Sequence, residues 1–200
     1  MFPVMRWVAL AWVAVWLPAY WISYGWRNFL QFCDVAVILT CLGLWLDSAL
    51  ILSSQALSVL LVNMLWVVDV GGRLVSGHHP IGGTQYMWNP GFPLWIRLLS
   101  LFHLVWPVLL VWAVRRAGYD RRALLLQIGI AVVVFTLTRA FADAAKNPNF
   151  AFRDPFFKRS WAPAPLHVAL SVDFMAVFVY WPTHAVLTRL YGRRKLDSPR

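Results

Sequence analysis

The stretch from Asn28 to Arg73, NFLQFCDVAVILTCLGLWLDSALILSSQALSVLLVNMLWVVDVGGR, decides the fold. Two apolar runs flank the tetrapeptide Leu46-Asp47-Ser48-Ala49. Each run approaches the roughly 20 residues a helix needs to cross about 30 Å of hydrocarbon. A link as tight as Asp47-Ser48 makes the two helices antiparallel neighbours. The hairpin therefore brings Cys33 and Asp34, near its start, to the same membrane face as Asp69 and Arg73, near its end.

Working outward, the rest of the chain has the same character. Its 200 residues are 60% hydrophobic and 13% charged, with mean hydropathy +0.62, which excludes an ordinary soluble globular protein. Apolar runs predict six spans, at about 4–24, 28–46, 49–70, 94–114, 123–142 and 166–190. The first has bulky Trp and Tyr throughout and no small-residue cleavage site, so it reads as a retained span rather than a signal peptide. The expected fold is all-α: one domain over residues 1–200, a six-helix transmembrane bundle with both termini on one side. Two long connections, Gly71 to Pro93 and Asp143 to Pro165, are rich in turn-forming pairs such as Gly71-Gly72, Gly82-Gly83 and Asn147-Pro148.

The net charge is +10, and every acidic residue is Asp. The basic residues sit at helix ends and in short loops, which argues against a nucleic-acid partner and for contact with anionic lipid. Arg6, the Arg115-to-Arg122 turn and the tail from Arg189 hold ten of the 18 basic residues. That balance places the termini in the cytoplasm and the protein in a bacterial inner membrane, as a multi-pass protein. Many of the 13 Trp lie near span ends, as interfacial belts require.

An ionisable side chain inside a span costs about 2.5–3.5 kcal/mol on insertion scales, so each needs a reason. By depth, Cys33, Asp34, Asp69, Arg73, His103, Arg139, Asp143, His167 and Asp173 all fall in the half of the bundle nearest the long connections, with Asn147 and Asn149 in the loop above. The opposite half is nearly dry. The i,i+4 spacing of Asp69 with Arg73, and of Arg139 with Asp143, also fits self-paired helix ends. Asp34, His103 and Asp173 lie too deep for easy snorkelling to the interface.

Cys33 and Cys41 are eight residues apart on one helix, about 12 Å along its axis, too far for a disulfide between them. The five His follow no metal-binding spacing, and no phosphate loop, dinucleotide fingerprint or haem motif occurs, so neither metal nor cofactor is expected. A thiol, an imidazole and carboxylates in one half-bundle are the materials of a nucleophile, a base and an orienting group.

The start of span two, Asn28-Phe29-Leu30-Gln31-Phe32-Cys33-Asp34, resembles the small-nucleophile position of one group of six-span proteins. That group comprises the androgen-induced type of intramembrane threonine hydrolase and YwaF-like bacterial membrane proteins. Ser100-Leu101-Phe102-His103 is similar to the group's histidine segment, and Asn147-Pro148-Asn149-Phe150 to its loop before the last helix. The resemblance implies a lipid acyl hydrolase or acyltransferase acting from within the bilayer, with Cys33 as nucleophile and His103 as base. Asp34, Asp69 or Asp173 would orient the histidine. The Asp directly after Cys33 departs from this chemistry, because a neighbouring negative charge opposes thiolate formation. The chain also resembles uncharacterised bacterial membrane proteins that share the Phe32-Cys33-Asp34 and Leu101-Phe102-His103 elements. The competing expectation is a non-catalytic accessory or assembly subunit of a larger membrane complex, packed against partner helices, lipid or pigment. Transport ranks below both, since no repeated broken helices occur.

Overall fold

Hydropathy alone leaves open where each helix starts, because an apolar residue suits a helix, a turn or a membrane-facing loop equally well. A computed structural model describes residues 1–155, 157–161 and 163–192. Among them are six helices: α1 Met5–Tyr24, α2 Phe32–Trp45, α3 Ala49–Ser76, α4 Leu94–Ala117, α5 Ala123–Phe141 and α6 Ala164–Tyr191. Five of the six, all but α2, are long and apolar enough to cross a membrane.

The boundaries differ from the expected ones in two places. The segment at 28–31 is not helix α2; it belongs to a short 3-10 turn, Trp26–Leu30, followed by extended Gln31. Asn28 and Gln31 spend their side chains on local hydrogen bonds, from Gln31 Nε2 to Asn28 Oδ1 at 2.8 Å and from Asn28 Nδ2 to Asp34 Oδ2 at 2.5 Å. These bonds tie the turn to the first turn of α2 through side chains alone. The 14 residues of α2 rise only about 21 Å. In contrast, α3 runs through Gly71-Gly72, expected to begin a loop, and ends at Gly77 in the left-handed conformation (φ 77°). A Cβ on Gly72 would lie 2.6 Å from the Pro80 ring, so glycine here lets the connection fold back against the helix.

The α2–α3 hairpin forms as expected. Asp47 takes a left-handed backbone (φ 49°), and Ser48 Oγ caps α3 by accepting from Ile51 N–H at 3.3 Å. A Cβ on Gly43 would meet the Leu52 side chain at 3.1 Å, which shows how closely the two helices approach. Helix α3 is the axis of the bundle and packs on α2, α4, α5 and α6. Its apolar window is 56% buried, against 17% for α1 and 22% for α6. Trp16, Leu44, Leu52, Leu57, Leu110 and Phe135 fill the core around it.

Two helices carry local breaks. Helix α4 loosens at Ser100-Leu101 before resuming at Phe102. Helix α6 widens to a π turn over Ala176–Tyr180; Pro182, lacking an N–H, leaves the carbonyl four residues back without its α-helical donor.

The short turns gather at one end. The Met1 ammonium donates to Asp47 Oδ2 at 2.8 Å, Asp120 N–H to Ser53 Oγ at 3.1 Å, and Tyr119 N–H to Tyr191 O at 2.9 Å. Both long connections lie at the opposite end, hereafter the loop end.

Candidate functional site

Three polar groups occupy the loop end, and they have different chemistry. The first is built on Asp69. Its Oδ1 accepts from the N–H groups of Ile81 (2.7 Å) and Gly82 (2.8 Å). Its Oδ2 accepts from the N–H groups of Gly83 (3.0 Å) and Thr84 (2.9 Å) and from Thr84 Oγ1 (2.6 Å). His79 Nδ1 lies 3.3 Å from the same oxygen and 3.0 Å from Thr84 Oγ1. The glycines allow successive amides to converge, with Gly82 at φ 86°. Asp69 is thus a clamp for the first long connection, with its lone pairs spent there. Arg73 does not pair with it; its guanidinium lies 5.8 Å over the Trp88 ring.

The second group fastens the other connection. Asn149 Oδ1 accepts from Phe32 N–H at 3.2 Å, capping the first turn of α2, while its Nδ2 donates to Leu30 O at 2.7 Å and to Thr138 Oγ1 at 3.2 Å. Asn147 Oδ1 accepts from the N–H groups of Phe152 and Arg153. His167 accepts from Trp161 N–H through Nδ1 and donates through Nε2 to Phe150 O at 3.1 Å. Arg139 donates to Ala151 O at 2.8 Å, and Asp143 accepts from Ala145 N–H at 2.9 Å. The expected self-pairing of Arg139 with Asp143 is therefore replaced by two separate backbone contacts.

The third group lies beneath these loops and is the candidate site. Asp34 is buried, and besides Asn28 its carboxylate faces Cys33 Sγ at 3.9 Å. Tyr20 Oη and Ser100 Oγ share a hydrogen bond of 2.6 Å. Trp66 Nε1 donates to Tyr86 Oη at 3.0 Å, and the Tyr86 phenol is within electrostatic reach of Ser100 and Cys33. Tyr86 lies in the first connection, and burial raises its phenol above the ordinary range, which keeps its proton in place. His103 stacks on Trp66 at 4.8 Å between nearly parallel rings, and its Nδ1 donates to Ser100 O at 2.7 Å. With Nδ1 committed as donor, Nε2 of the neutral ring carries the lone pair.

Cys33 and His103 share no hydrogen bond and come from different helices; Cys33 is within electrostatic range of Tyr86, and His103 bonds the Ser100 carbonyl. Asp173 stays apart from all three groups. It is exposed on the outer side of α6, without a hydrogen bond or ion pair among the described residues. No group of three or more His, Cys, Asp or Glu suited to a metal occurs among the described residues.

Tyr20, Trp66 and Tyr86 are members that the sequence did not single out, and Ser100 entered only as a residue of the histidine segment, without a role. Hydroxyls and indoles at span ends are common belt residues, and the Tyr20–Ser100 bond joins positions 80 residues apart. The only local trace was Ser100 itself, the first residue of the histidine segment.

Comparison of the chain with protein-family models, with curated proteins and with solved structures finds no match.

Proposed function

We propose that the chain is a multi-pass inner-membrane protein with six crossings and cytoplasmic termini, and that it serves as a non-catalytic subunit docking a partner membrane helix on the outer face of α6. The sixth crossing would be α2 with the turn before it, whose helical rises sum to about 31 Å. One observation carries the docking reading: Asp173 is exposed on an apolar helix surface with no partner among the described residues. It lies nine residues, about 13 Å, from the start of α6. A bare carboxylate facing lipid at that depth costs on the order of 2.5 kcal/mol, and a donor from another helix removes the cost. Val177, Phe178 and Trp181 continue the same surface, 55–61% exposed. The adjoining π turn is the kind of irregularity that gathers at functional sites. The partner chemistry is a membrane helix presenting Lys, Arg or His toward Asp173.

The experiment is purification from native membranes in a gentle detergent. The wild type migrates with a fixed partner in constant ratio, and Asp173→Leu runs alone while keeping its thermal stability. A lone wild-type monomer contradicts the proposal.

A lipid hydrolase is the second reading, and one arrangement favours it. Cys33 is within electrostatic range of Tyr86, His103 bonds the Ser100 carbonyl, and His103 Nε2 is the basic nitrogen. On this reading a lipid-like electrophile labels Cys33 and the folded His103→Ala variant is not labelled. Normal labelling of that variant removes it.

A further inference from the structure

The second long connection forms a shallow, open groove of about 330 Å³, lined by Arg139, Ala144, Ala145, Phe152, Arg153 and Ser160. That volume is at the small end of ligand pockets, about 300–1,000 Å³, and suits a headgroup rather than a whole lipid. Arg139 enters from the last turn of α5. Its Nη1 is held by Ala151 O and its guanidinium stacks 5.2 Å over the Phe152 ring, which fixes the group's position. Arg153 reaches across to Ala144 O at 3.2 Å through Nη2. Neither guanidinium has a carboxylate partner among the described residues, so each keeps donors unspent. Asp143, the nearest acid in sequence, turns to the Ala145 amide instead.

The surroundings place this groove at a membrane interface. Phe141 at the end of α5, and Phe150, Phe157 and Trp161 along the connection, are 43–70% exposed. Trp26 packs on Phe141 at 6.0 Å, as an interfacial aromatic pair does. Two guanidiniums beside apolar surface, that of Arg139 held in place, match a phosphate whose acyl chains continue into hydrocarbon. We propose that this groove binds the phosphodiester headgroup of an anionic phospholipid, with Arg139 and Arg153 as its two donors. The site is independent of the docking face on α6.

The test uses the full chain in detergent, titrated with dioleoylphosphatidylglycerol, with dioleoylphosphatidylcholine and with inorganic phosphate, and read by native mass spectrometry. The anionic lipid binds saturably and the zwitterionic lipid does not. Arg153→Gln, which leaves the Ala151 contact intact, weakens binding about fivefold, and adding Arg139→Gln brings the loss to about twenty-fivefold. A control carrying Lys158→Gln and Arg159→Gln binds as the wild type does. Equal binding of the two lipids, or an equal loss in the control, overturns the site and leaves only diffuse surface charge. Displacement of the lipid by millimolar inorganic phosphate overturns the lipid assignment.

Discussion

Asp69 and Asp173 are aspartates on apolar helices in the same half of the bundle, and their surroundings are opposite. Asp69 faces inward and accepts from four backbone amides and a hydroxyl, all supplied by the connection it closes. Asp173 faces outward and accepts from nothing among the described residues. A carboxylate satisfied within its own chain holds the fold together. One left unsatisfied on an apolar surface directs attention to another molecule. Residue type and bundle half are shared, so the difference lies in the direction of the side chain.

The contrast gives predictions of decreasing size. Asp69→Ala removes the acceptor of four backbone amides, that of Thr84 buried, costing roughly 3 kcal/mol or more, since hydrogen bonds to charged groups contribute about 1.5–3 kcal/mol each. It appears as a lowered thermal midpoint in detergent, with new proteolytic cuts between Gly77 and Thr84. Asn149→Ala unfastens the second connection less severely, by about 1–3 kcal/mol for the buried groups it orphans, with faster hydrogen exchange at Phe32. Asp173→Leu does the reverse of Asp69→Ala: it leaves the isolated protein's midpoint unchanged or higher and removes the partner. Equal destabilisation by Asp69→Ala and Asp173→Leu would dissolve the distinction between them.

The smallest effect is at the turn end. The Met1 ammonium donates to Asp47 and lowers that carboxyl below its usual range. A lowered folded-state value means that the contact contributes fully above the ordinary carboxylate range, near pH 4. It is lost as pH falls through the folded value. Acid titration of stability is therefore slightly flatter below pH 4 in Asp47→Asn than in the wild type. Identical curves would show that the exposed contact contributes nothing.

The hairpin, its Asp47-Ser48 turn and the positions of most helices were legible in the sequence because length and hydropathy decide them. The start of α2 was not, since the cap on Phe32 N–H comes from Asn149, 117 residues away, and no apolar pattern reveals it. The continuation of α3 through two glycines was hidden for a related reason: the clamp that supports it draws on backbone amides of Ile81 to Thr84, which are the same in any residue. For the candidate site, the depth of Cys33, Asp34 and His103 could be read. The hydroxyls between them could not, because they come from α1, α4 and the first connection and meet only in the folded bundle. The depth of Asp173 was equally legible. Its outward direction depends on which side of α6 packs against α3 and α5, and a helix with apolar residues all round does not declare that side.

The docking face is tested most directly by site-specific photo-crosslinking in intact native membranes. A crosslinker at Val177, beside Asp173 on α6, is compared with one at Val108 on the exposed side of α4; these positions are 55% and 69% exposed. The account predicts one discrete protein adduct from position 177, lost in Asp173→Leu, and none from position 108. Lipid adducts alone at both positions, or a protein adduct that survives Asp173→Leu, would contradict it.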